Sequence, residues 1–178
     1  MEYLDIYDSE GNPTGTISSK KEAHEKGFWH RSVHVWIITP DKQVLIQKRS
    51  PQKESNPGMW DISSAGHVSA GESDITSAVR ETEEELGLVF PETFFTLIGV
   101  VKQMQVIGAL INNEINPVYI LKTEIKLEDI KRQKEEVSEV KLVPISEFKR
   151  MIENKDENFV DHPEEFELLF DYLEKNCK

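Results

Sequence analysis

The chain has 178 residues, enough for one domain with a substantial hydrophobic core. Acidic residues outnumber basic ones by 33 to 21, for a formal net charge of −12, which argues against nonspecific binding to nucleic-acid polymers or anionic membranes. Hydrophobic residues make up 38%, so wholesale disorder is excluded, and the single cysteine, Cys177, excludes a disulfide framework and fits a reducing cytosol.

Residues 1–11 have neither a basic start nor an apolar run, so no signal peptide is expected. No stretch approaches transmembrane length, and a cytoplasmic protein is the expectation. Residues 3–7 read as a short edge strand, followed by a turn over 9–13. Residues 19–26 read as a short helix, capped by Ser18 or Ser19 and ended by Gly27. Strands over 33–39 and 43–49 flank Pro40, Asp41 and Lys42 as a hairpin, and 50–58 is a polar, exposed loop. A strand follows over 60–64, then the clearest helix, 74–86, stopped by Gly87. Strands over 93–105, 114–123 and 139–143 and helices over 144–154 and 163–176 complete the chain, a pattern that suggests an α/β sandwich on a mixed sheet.

In the 74–86 helix, Ile75, Ala78, Val79, Thr82 and Leu86 recur at helical spacing and form a core-facing stripe. Glu81, Glu84 and Glu85 stand at i, i+3 and i+4, which puts three carboxylates on a different face. They repel one another and oppose the negative end of the helix dipole. Stability alone would favour lysine or arginine there. Gly66 opens a turn, Glu72 follows, and Arg80 precedes the cluster, so a Glu72–Arg80 pair is expected to brace the loop against the helix. The other glutamates would collect a hard divalent cation such as magnesium, shared with substrate phosphates. The plainer alternative is a solvated acidic face.

Residues 66–88 resemble the Nudix box, G-x5-E-x7-R-E-U-x-E-E-x-G-U: Gly66, Glu72, Arg80, Glu81, Glu84, Glu85, Gly87 and Leu88 all stand in place. Thr82 departs, since a bulky apolar residue is usual there. The resemblance implies an α/β/α sandwich around a mixed β-sheet, with residues 1–178 as a single domain. It implies an enzyme that cleaves a diphosphate linkage in a small molecule, in a nucleoside diphosphate or related compound. It also implies ligation of magnesium, or manganese, by Glu81, Glu84 and Glu85, with the Gly66 carbonyl as a further ligand.

A second resemblance extends outside the box. Gly11–Thr16, His24, His30, Pro57-Gly58-Met59-Trp60, Gly66-His67 and Glu114 look like the isopentenyl-diphosphate isomerases, a Nudix-fold branch. Those enzymes place a proton-transferring cysteine where this chain has Ala65, which cannot transfer a proton. They also lack the complete glutamate cluster, so both departures favour the hydrolase. The same resemblance implies a second metal site at His24, His30, His67 and Glu114, suited to manganese or zinc, with Asn112 standing where a further glutamate is usual. The alternative is that these histidines are packed or hydrogen-bonded remnants. Glu114 is also the leading candidate for a general base. A non-catalytic binding domain is a third reading, against which the repelling carboxylates count. Phe28, Trp29 and Trp36 read as core more than as stacking platforms, and Lys48, Arg49 and Lys53 as a solvated basic loop more than as phosphate contacts.

Overall fold

The computed structural model describes residues 2–176, so Cys177 lies outside it. In chain order the first elements are β1 (Tyr3–Tyr7), β2 (Pro13–Ser19), α1 (Lys20–Lys26), β3 (Trp29–Ile38), β4 (Gln43–Arg49), β5 (Trp60–Asp61), β6 (Ser64–His67) and α2 (Asp74–Leu86). There follow β7 (Phe95–Ile107), β8 (Leu110–Lys122), β9 (Val137–Pro144), α3 (Ile145–Glu153) and α4 (Pro163–Asn176).

The mixed sheet is organised on β3, which is buried from Ser32 to Ile38. β8 runs parallel along one side of it. β6 and the end of β4 lie antiparallel on the other side, while β9 and β5 flank β4. β3 reads as a near-continuous apolar run because helices cover both of its faces. Val33, Val35 and Ile37 pack with Ala78 and Leu86 of α2. Trp36 and Ile38 pack with Phe148 of α3 and with Phe166, Leu169 and Leu173 of α4. These two layers around the sheet make the expected α/β/α sandwich.

The helix ends follow local chemistry. The Ser19 side chain accepts from the Glu22 amide at the start of α1, and Ser73 accepts from Thr76 at the start of α2. Gly87 closes α2 at φ 68°, a conformation that costs a side-chain-bearing residue energy.

Besides β3, which begins at Trp29 rather than at residue 33, the structure departs from the expected elements in three places. Residues 13–19 are strand β2, paired to β1 from Tyr3↔Ser19 to Tyr7↔Pro13. The segment is polar and mostly exposed, so it has no apolar alternation, and cross-strand pairing alone makes it a strand. The expected 60–64 strand is two short ones, since β5 pairs with β4 and β6 pairs with β3. β7 and β8 form one long hairpin that continues to Ile107↔Leu110, where Met104 and Val106 face solvent rather than a core.

Candidate active site

Helix α2 delivers its carboxylates at three depths rather than on one exposed face. The Glu84 side chain keeps 53% of its surface exposed and that of Glu81 13%, while Glu85 is buried at 4%. Glu85 turns under the sheet edge, where its Oε2 accepts from the Ala65 amide at 3.1 Å and from Gln47 Nε2 at 3.2 Å. Burial first, then repulsion from Glu81, pushes its carboxyl up to about 8. Burial also raises Glu81, against the attraction of Arg80.

Gly66 is required by space rather than by backbone angle. A Cβ there would lie 2.1 Å from the carboxyl carbon of Glu81. Its carbonyl accepts from Ser32 Oγ at 3.0 Å, which anchors β6 beside the carboxylates. Gly66→Ala should therefore displace Glu81 and lower kcat about a hundredfold, the scale of a ~1 Å misplacement. Steady-state kinetics in saturating magnesium checks this, and an unchanged kcat would remove Glu81 from the chemistry.

Arg80 ties these parts together. Its Nη2 donates to Glu72 Oε2 at 2.9 Å and to the His67 carbonyl at 3.0 Å, and its Nη1 reaches Glu81 at 2.6 Å and Glu84 at 3.3 Å. The Arg80 hydrogen bonds are the main cause holding Glu72 below the usual carboxylate range. Ser77, buried in α2, adds a hydrogen bond to Glu72, a contact that helical periodicity does not announce. Thr82 sits fully buried with its Oγ1 donating to the Ala78 carbonyl at 2.8 Å, so its hydroxyl is satisfied in a position that usually holds a hydrocarbon.

A second constellation adjoins the first. The rings of His24, His30 and His67 lie 5.1–5.3 Å apart, centroid to centroid. All three Nε2 atoms are buried without a hydrogen-bond partner. His30 Nδ1 donates to the Phe28 carbonyl at 2.9 Å, which leaves its Nε2 as the free lone pair. Burial, then nearby positive charge, lowers His24 and His67, so both rings stay neutral. Glu114 Oε1 stands 3.6 Å from His67 Nε2 and 4.0 Å from His30 Nε2. Asn112 Oδ1 is buried and unpartnered as well. The three imidazoles, whose ligand atoms lie within 4.8 Å of one another, form a donor set that could hold a transition metal, with Glu114 beside two of them.

The basic residues before the box divide. Arg49 is drawn inward to Asp61 at 2.9 Å, while Lys48 lies over the Trp60 ring. Lys53 pairs with Glu136, so its charge is not freely solvated. Trp36 is core, but its Nε1 also donates to Glu165 at 2.7 Å. That bond belongs to a buried network invisible in the sequence: His34 Nδ1 donates to Glu165 at 2.6 Å, and His162 Nε2 to Asp61 at 2.9 Å. Burial alone would lower His162, yet the bond and charge of Asp61 raise it to about 9, so its proton is committed to Asp61.

Comparison with known proteins assigns the family. The NUDIX domain family model matches residues 28–163. The chain is a Nudix-family protein. This Nudix chain is 44% identical over 184 residues to Nudix hydrolase 3 of Arabidopsis thaliana, covering 99% of the chain but 24% of that protein. It is 38% identical to an uncharacterised Nudix hydrolase of Clostridium acetobutylicum, over 86% of the chain and 75% of that protein. An isopentenyl-diphosphate delta-isomerase of Pectobacterium atrosepticum is 35% identical, over 64% of the chain and 62% of that enzyme. Among solved structures, a Deinococcus radiodurans protein superposes with a TM-score of 0.68 at 19% identity, covering 86% of this chain and 90% of that one. That likeness shows the shared fold. No helix among the described residues of this Nudix chain is long and apolar enough to cross a membrane.

Proposed function

We propose that this Nudix domain is a magnesium-dependent hydrolase that cleaves a diphosphate linkage in a small molecule, a nucleoside diphosphate or a related compound. One observation carries the reading: the Glu81 and Glu85 carboxyls lie against adjacent residues of β6, Gly66 and Ala65, where burial raises both and the charge of Glu81 further disfavours that of Glu85. A divalent cation relieves that conflict. Glu81, Glu84, Glu85 and the Gly66 carbonyl would hold magnesium or manganese. A cation held there would supply Lewis-acid chemistry, offsetting negative charge on the phosphates and making a bound water more acidic.

The chain's own groups supply the rest. Arg80 fixes Glu81 and the 66–72 loop. Glu114 faces the histidines closely enough to act with them as a ligand for manganese or zinc, rather than as a free base. The isomerase-like reading has less support, because Ala65 carries no ionisable group. Its ladder partner is His34, whose Nδ1 is committed to Glu165.

A screen of diphosphate compounds with magnesium, with and without manganese or zinc, tests both readings. Release of phosphate or a nucleoside monophosphate from at least one compound is expected, with no dimethylallyl diphosphate formed from isopentenyl diphosphate. Robust isomerisation with no hydrolysis would overturn the proposal.

A further inference from the structure

The sheet face toward α4 changes character along its length. From Trp36 and Val118 onward it is apolar core. Before that point, side chains alternating onto the same face are polar: His30, Ser32 and His34 on β3, Glu114 and Asn116 on β8. This stretch from His30 to His34 spans roughly 13 Å of strand. At one end stand the three histidines, and at the other the His34–Glu165 and His162–Asp61 pairs.

Asn116 lies between these ends. It is 0% exposed, and both its Nδ2 and its Oδ1 lack a hydrogen-bond partner. Its neighbours do not compete for it, since Ser32 Oγ donates to the Gly66 carbonyl and His34 Nδ1 to Glu165. A buried amide with both ends unmet is destabilising, and replacing it by a hydrocarbon of similar shape is neutral or stabilising. Stability alone therefore does not call for an asparagine here. Ser32 and Ala65 are small side chains on this face, and Ala65 is partly exposed.

We infer that Asn116 is a specificity residue that reads a paired donor and acceptor on the group attached to the diphosphate. The matching chemistry is a nucleobase edge or neighbouring sugar hydroxyls, and a hydrocarbon tail has none to offer. The inference rests on the hydrolase reading for the position of the diphosphate, but its test is separable.

The probes are ADP, uridine diphosphate glucose and dimethylallyl diphosphate, each with magnesium. In the unmodified 15N-labelled protein, the Asn116 side-chain amide resonance should shift with ADP, uridine diphosphate glucose or both, and stay in place with dimethylallyl diphosphate. A response to both assigns the shared ribose, one to ADP alone assigns adenine, and one to uridine diphosphate glucose alone assigns uracil or the appended sugar. Asn116→Leu should melt at or above the wild-type temperature without ligand. It should also lose most of the ligand-induced rise in melting temperature for the responsive probe. An Asn116 amide that no probe moves, or an Asn116→Leu protein that melts lower, would mean that a buried water or a packing role explains the residue, and would overturn the inference. Ligand-induced shifts without any turnover would instead refute the hydrolase reading and leave this one standing.

Discussion

Glu85→Gln should nearly abolish turnover while making the metal-free protein more stable. The isosteric amide keeps the volume at a fully packed position, so loss of activity would not trace to a cavity. What disappears is a carboxylate that would face the cation, and the expected fall in kcat is about a hundredfold or more, equivalent to several kcal/mol of charge stabilisation. The stability gain follows from linkage. Burial, with Glu81 beside it, raises Glu85 from 4.5 to about 8, so its favourable contribution is present below pH 4.5 and is lost as pH rises through 8. Each tenfold change in proton affinity between the folded and unfolded chain is worth roughly 1.4 kcal/mol. Melting temperatures of the metal-free wild type should therefore fall between pH 5 and 9, and those of Glu85→Gln should fall less. Magnesium should restore the wild type and leave the variant unmoved. Parallel melting curves for both proteins across that range, in chelator, would refute the assignment.

His162→Ala should cost about 3–5 kcal/mol, the scale for removing one partner of a buried ion pair. Asp61 would keep Arg49 but lose the proton that His162 Nε2 donates, and the ring contact of His162 with Phe166 on α4 would go as well. For a chain of this length the melting temperature should drop by roughly 10 °C, at about 2–4 °C per kcal/mol. The effect carries a pH signature. His162 is raised to about 9, so its contribution is complete below pH 6.5 and disappears as pH passes 9. The gap between wild type and variant should be widest near pH 6 and shrink above pH 9. A constant gap would mean that His162 acts through packing alone. Hydrolysis measured well below the lowered melting temperature should be retained, since none of these atoms belongs to the carboxylate cluster.

These two residues show how unevenly the site is written in the sequence. Glu85, Arg80 and Glu72 were legible because their spacing is a local property: a helix fixes which residues share a turn, and a like-charged cluster at its C-terminal end contradicts stability rules that operate within the helix. The strongly periodic elements, α2 and α4 among them, were legible for the same reason. The depth of each carboxylate was not, because it depends on Gly66 and Ala65 arriving on a separate strand. β2 was hidden because its partner, not its composition, makes it a strand. His34, Asp61 and the His162–Glu165 pair come from three distant segments, and the pairing of β5 with β4, with the Trp60 bridge to Phe159, decides their meeting. Asn116 is one more polar residue on a strand until the fold buries both ends of its amide. Local chemistry along the chain determined the family and the carboxylate cluster. Long-range strand pairing decided which polar groups were taken out of water, and so which of them still need a partner.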